Sequence, residues 1–158
     1  VTKIQFAPGD LLEEVYQKFL PSCQAKKLTL KLQIPSSADN VKINTDPELL
    51  YKVINHLADN AVKFTKQGHV SIGFELQGSE LVIFIKDTGV GVNKELQESI
   101  FNKFMQENTS DTRGYEGSGL GLSIVEGIAK LLKAHIWIES EKGLGFSFFF
   151  ALPFEVKG

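Results

Sequence analysis

With a single cysteine, Cys23, the chain cannot form an internal disulfide. The residue reads as a small buried apolar group in a reducing compartment rather than a reactive thiol. No apolar run approaches the length of a membrane span, and no signal peptide opens the chain. Neither sign of charge dominates: 17 Lys and Arg stand against 19 Asp and Glu. That balance argues against a nucleic-acid surface and against a polybasic membrane module. Internal repeats, low-complexity tracts and linkers are also missing. What is present fits one domain, 1–158, since 158 residues are too few for two ordinary ones and a 42% hydrophobic content can fill a sizeable core. The chain begins at Val1 without Met and enters the strand-like Lys3-Ile4-Gln5-Phe6 at once, so it reads as a piece of a longer protein.

Periodicity places the elements. Leu11, Leu12, Val15 and Phe19 recur at helical spacing after Asp10, and Pro21 is expected to kink or end that helix. Leu28, Leu30, Leu32 and Ile34 share one face of a strand, and Pro35–Asn40 reads as a loop. A short strand at Val41–Asn44 leads into Asp46-Pro47, where Asp as N-cap and Pro at the first helical position start a helix that runs to about Phe64. Strands follow at Val70–Leu76 and Leu81–Asp87, with a turn at Gln77-Gly78-Ser79 between them. A short helix near Lys94–Phe104 and an aperiodic polar stretch, Glu107–Glu116, come next; the latter reads as a mobile loop. A helix from near Gly119 to about Lys133 and strands at His135–Glu139 and Phe146–Leu152 complete the set. Helices and hairpin strands that come in blocks predict an α+β fold, a mixed sheet with helices over one face, in which the first and last strands also lie.

On a helical wheel of Asp46–Phe64, Leu50, Val53, Ile54, Leu57, Ala61 and Phe64 form one apolar stripe, while Lys52, Asn55 and Asp59 point to water. His56, Asn60 and Lys63 fall along one edge of the stripe, spaced so that their side chains stack. An amide oxygen there suits Mg²⁺, a hard cation, and an ammonium suits phosphate oxygens. The same three residues also fit a solvated boundary with ordinary hydrogen bonds.

Asp87 ends an apolar strand and precedes Thr88-Gly89-Val90-Gly91. A carboxylate at a buried strand end needs a donor, and the exocyclic amine of adenine is one; guanine presents a carbonyl there. Gly89 and Gly91 would let backbone approach the base, although a structural turn with a capping Asp explains the segment as well. Gly117-Ser118-Gly119-Leu120-Gly121-Leu122 runs straight into a helix, so its free N–H groups and the positive helix end favour phosphate. It is neither a Walker A loop nor a dinucleotide fingerprint. Phe101 and Phe104 read as core residues able to anchor one end of a lid; Arg113 and Tyr115 sit in that lid. Arg113 reaches a terminal phosphate if the lid closes and is otherwise a solvated surface residue.

In combination these segments resemble the four sequence boxes of the ATP-binding domains of two-component histidine kinases, in order and at similar spacing. Asn60-Ala61-Val62-Lys63-Phe64-Thr65 resembles the N box, Asp87-Thr88-Gly89-Val90-Gly91 the first glycine box, Phe101-Asn102-Lys103-Phe104 the F box, and Gly117–Leu122 the second glycine box. The resemblance covers nearly the whole chain. It implies the Bergerat fold, a two-layer α/β sandwich with a mobile ATP lid at Glu107–Glu116. It also implies that Asn60 ligates Mg²⁺, that Asp87 reads adenine, that Lys63 and Arg113 contact phosphates, and that Gly117–Leu122 hold the phosphate chain. His56 stands where the family often has a second Asn, and where related ATPases have a Glu that activates water. It is therefore expected to act as a base or to hydrogen-bond metal-bound water, and rapid ATP hydrolysis is not expected.

The function this implies is transfer of the ATP γ-phosphoryl group to a histidine on a dimerising helical hairpin, with a response-regulator receiver domain downstream. None of His56, His69 and His135 has the sequence context of the acceptor, and His69 and His135 read as structural or surface residues. Little autophosphorylation is expected of this stretch alone. A cytoplasmic, monomeric domain without nucleic-acid or membrane contact completes the expectation. Two rivals are an ATP hydrolase of the gyrase and mismatch-repair type, and a degenerate, non-enzymatic module.

Overall fold

A computed structural model describes residues 2–35, 41–65, 67–88, 122–141 and 145–153. The chain order is β1 (Ile4–Phe6), α1 (Pro8–Ala25), β2 (Thr29–Gln33), β3 (Ile43–Thr45), α2 (Pro47–Phe64), β4 (His69–Gln77), β5 (Glu80–Asp87), α3 (Leu122–Leu132), β6 (His135–Glu141) and β7 (Gly145–Pro153). Five strands form a mixed sheet in the order β2-β4-β5-β7-β6. Only β2 and β4 run parallel, with Thr29 beside His69; the other neighbours are antiparallel. The parallel pair needs a crossover, and α2 lies within it.

One expectation requires correction. The first strand does not lie in the main sheet: β1 pairs with β3 in a separate two-stranded ribbon, Ile4 opposite Thr45. β1 is short and mostly exposed, so it has no buried face to offer the large sheet. Of the two outcomes expected of Pro21, a kink or an end, the structure excludes the end, since α1 continues to Ala25. The proline sits on the exposed side, while Val15, Phe19 and Cys23 anchor the opposite side in the core, and Leu28 N–H returns to Cys23 O beyond it. Burial of that face outweighs the lost backbone bond. The short strand expected at Val41–Asn44 falls at Ile43–Thr45.

All three helices cover one face. Val70, Ile72 and Phe74 of β4, Leu81, Ile83 and Ile85 of β5, and Phe148, Phe150 and Leu152 of β7 point to that side. They meet Leu12, Val15 and Phe19 of α1, Leu50, Val53, Ile54 and Leu57 of α2, and Val125 and Ile128 of α3. Each fully buried Leu, Ile or Phe there stabilises by roughly 1.5–3 kcal/mol. This is the two-layer α+β arrangement expected of the sequence.

Among the described residues the opposite face carries no helix. Val82, Phe84 and Ala151 are buried there apart from the main core. Trp137 stacks on Phe149 at 5.1 Å and on His135 at 5.3 Å, and the Lys86 ammonium lies 4.6 Å from the centre of the Phe84 ring. These flat side chains shield the layer beneath them. Gly73 is required here. A Cβ at that position would stand 2.2 Å from Gln33 O and 2.7 Å from the Phe84 ring.

Candidate functional site

The helix α2 begins where the Asp46-Pro47 signal placed it. Asp46 Oδ1 accepts the N–H groups of Glu48 and Leu49, and Oδ2 accepts that of Thr2 at 2.8 Å. The Thr2 bond, followed by the Leu49 bond, holds the Asp46 carboxyl below its ordinary value of 3.8. The start of α2 is thereby tied to the strand ribbon β1–β3.

The far end of α2 carries the polar groups. Asn60 is only 4% exposed, deeper than a residue on a solvated boundary. Lys63 is exposed, with its ammonium 3.3 Å from the Asp59 carboxylate, an i, i+4 pair. His56, one turn before Asn60, is half-buried. Asn55, expected to face water, accepts a hydrogen bond from the Lys18 ammonium at 2.6 Å. The apolar stripe is as expected: Leu50, Val53, Ile54, Leu57 and Ala61 are buried, and the Phe64 side chain lies outside the described part.

Topology brings Asp87 to the same edge. It ends β5 opposite Val70, at the start of β4, and β4 begins just after α2 ends. Thr88 N–H donates to His69 O at 3.1 Å and His69 N–H donates to Thr88 Oγ1 at 3.4 Å, so the strand end is fixed. Asp87 is half-buried, with Oδ1 shielded from solvent. The Thr65 hydroxyl, one residue past α2, is fully buried without a hydrogen-bond partner. The sequence reading missed it; its place in the N-box-like run was the only signal. α3 turns tightly at Lys133 (φ 57) into β6, whose first residue pairs with Ala151 near the end of β7. The α3 N-terminus, at Leu122, is therefore directed to the edge that holds Asp87. Gly89, Gly91, Arg113, Tyr115, Gly117, Ser118, Gly119, Leu120 and Gly121 lie outside the described residues, as do the Lys94–Phe104 helix and the Glu107–Glu116 lid.

This edge combines an almost buried amide, a carboxylate with one shielded oxygen, an exposed ammonium and a buried hydroxyl. A half-buried carboxylate is acceptor-only and suits an amino-purine edge. Among the described residues no cluster of His, Cys, Asp and Glu could cage a metal. The donor set instead fits Mg²⁺ that is shared between one protein oxygen and substrate phosphates.

The chain is 35% identical to the autoinducer 2 sensor kinase/phosphatase LuxQ of Vibrio parahaemolyticus over 97% of its own length and 18% of that protein. It is 33% identical to the sensor histidine kinase RcsC of Escherichia coli over 94% of the chain and 16% of the relative. It thus spans less than a fifth of either. The crystal structure of full-length ShkA in complex with AMPPNP superposes with a TM-score of 0.79 at 26% identity, over 100% of this chain and 32% of that one. Residues 45–156 match the family described as histidine kinase-, DNA gyrase B- and HSP90-like ATPase, and this chain belongs to that family.

Proposed function

We propose that the chain, 1–158, is the catalytic ATP-binding domain of a sensor histidine kinase, which passes the ATP γ-phosphoryl group to a histidine on a dimerising helical hairpin. A response-regulator receiver domain is the downstream partner. What supports the reading is the topology that brings the end of β5, with Asp87, and the last turns of α2, with Asn60 and Lys63, to one edge of the sheet. Asp87 accepts the adenine amine. Asn60 offers its amide oxygen to Mg²⁺, and Lys63 leaves its exposed partner Asp59 to meet phosphate. When bound, Mg²⁺ supplies neutralisation of the triphosphate charge. Gly89, Gly91 and the run Gly117–Leu122 bring backbone N–H groups to the base and the phosphate chain, Tyr115 contributes from the lid, and Arg113 closes on the terminal phosphate. Positioning and charge neutralisation provide most of the catalysis.

With Mg²⁺ held at Asn60, His56 would act as a base or hydrogen-bond water around the ion. No carboxylate stands in its place, so transfer to a protein acceptor is favoured over hydrolysis. Among the described residues no helix is long and apolar enough to cross a membrane, and a cytoplasmic, monomeric domain is the reading we favour. Calorimetry with AMPPNP and Mg²⁺ tests the site. Asp87→Asn and Asn60→Ala are each expected to weaken binding at least about tenfold. Affinities equal to wild type in both variants would remove the pocket from this edge.

A further inference from the structure

The last turn of α2 ends without the usual means of closing a helix. Thr65 continues in an extended conformation (φ −94, ψ 117) rather than the left-handed turn that glycine commonly supplies, and its N–H returns to Ala61 O. The carbonyls of Val62 and Lys63 must then find donors elsewhere. One side chain serves both. The Lys26 ammonium donates to Val62 O and, at 3.3 Å, to Lys63 O. It also sets a positive charge at the negative end of the helix dipole.

The backbone beneath Lys26 is firmly held. Lys26 N–H donates to Ser22 O as the cap of α1, Lys27 adopts a left-handed conformation (φ 60), and Leu28 N–H donates to Cys23 O. Cys23 and Leu28 are both buried in the core. The ammonium therefore projects from a fixed corner between α1 and β2 onto the end of the helix that carries Asn60 and Lys63. Asp87 is carried by a different element, the end of β5.

We propose that Lys26 is a positioning residue for the metal and phosphate half of the nucleotide site. By holding the carbonyls of residues 62 and 63 it fixes the final turn of α2, and with it the aim of Lys63 and, one turn earlier, of Asn60. The role rests on the site reading given above and deepens it. It separates the site into two halves: the triphosphate grip depends on the corner at Lys26, and the purine grip depends on the β5 strand end.

The test is calorimetry on this chain with two probes, AMPPNP plus Mg²⁺ and AMP, which keeps the purine but lacks the β- and γ-phosphates. Lys26→Met is expected to weaken AMPPNP about tenfold and AMP by no more than about twofold. Lys26→Arg, still able to donate to both carbonyls, is expected to restore AMPPNP affinity to within about threefold of wild type. Asn60→Ala is the reference. Equal losses for both probes, or no loss in Lys26→Met where Asn60→Ala does weaken AMPPNP, would overturn the role of Lys26 and leave the site reading standing. No effect from Asn60→Ala would overturn both. Should Lys26→Met not fold, Lys26→Gln, uncharged and one bond too short to span both carbonyls, is measured alongside a thermal melt and judged by the same AMPPNP-to-AMP contrast.

Discussion

The two ends of α2 are built differently. Its first turn is closed by the residue next to it: Asp46 caps Glu48 and Leu49, and Pro47 presets the backbone. Its last turn is closed from a distance by Lys26, which reaches over from α1. The near end is capped by its own first residues, with Thr2 held on the same carboxylate, and belongs to folding. The far end carries Asn60, Lys63 and the buried Thr65 hydroxyl. A helix organised in this way can keep its core face constant while its far end serves a ligand.

The sharpest way to break this contrast is to damage the core face. Leu50→Ala, at a fully buried position, is expected to cost about 2–5 kcal/mol in urea denaturation and to leave the AMPPNP affinity of the folded fraction unchanged. A parallel loss of affinity would show that the two ends are not separable. Asn60→Ala is expected to show the reverse pattern, with at least about a tenfold loss of AMPPNP·Mg²⁺ affinity and a smaller shift in melting temperature than Leu50→Ala.

Asp46→Ala should lower the melting temperature by on the order of 3 °C without changing nucleotide affinity, and Asp46→Asn, which can still cap, should recover most of the difference. The smallest effect is one of pH. The Asp46 carboxyl is held below its ordinary 3.8, so the folded state favours its charged form. Its contribution is complete above that value and is lost as the pH falls through the lower, folded one. The stability gap between wild type and Asp46→Ala should therefore stay level above pH 5, a bound on the order of one unit clear of that titration, and narrow below the ordinary carboxylate range. A gap that widened on acidification would reverse the sign of the linkage.

The features that were legible in the sequence share one property: their signals are local. Asp46-Pro47 fixes the start of α2, the two strand-like runs Val70–Leu76 and Leu81–Asp87 on either side of a short turn signal fix a hairpin, and Gly78 (φ 61) makes its turn. The misread features depend on partners far along the chain. Nothing within Lys3–Phe6 shows that it pairs with Ile43–Thr45 rather than with the large sheet. Pro21 looks like a helix terminator until burial of its neighbours is known. At the site, Asn60 was placed on the correct edge of its helix, but its depth depends on how α2 lies on the sheet. Lys26 gave no signal, because a lysine beside another lysine after a helix looks like ordinary solvated surface. Thr65 was visible only as part of a motif.

The single parallel strand pair has a consequence for the newly made protein. Because α2 is the connection that lets β2 and β4 run side by side, its place is fixed only after both have emerged from the ribosome. The late strand β7 then has to insert between β5 and β6 before the sheet is continuous. A nascent chain that has emerged only as far as Asp87 thus still lacks two of the five strands of the sheet on which α2 lies.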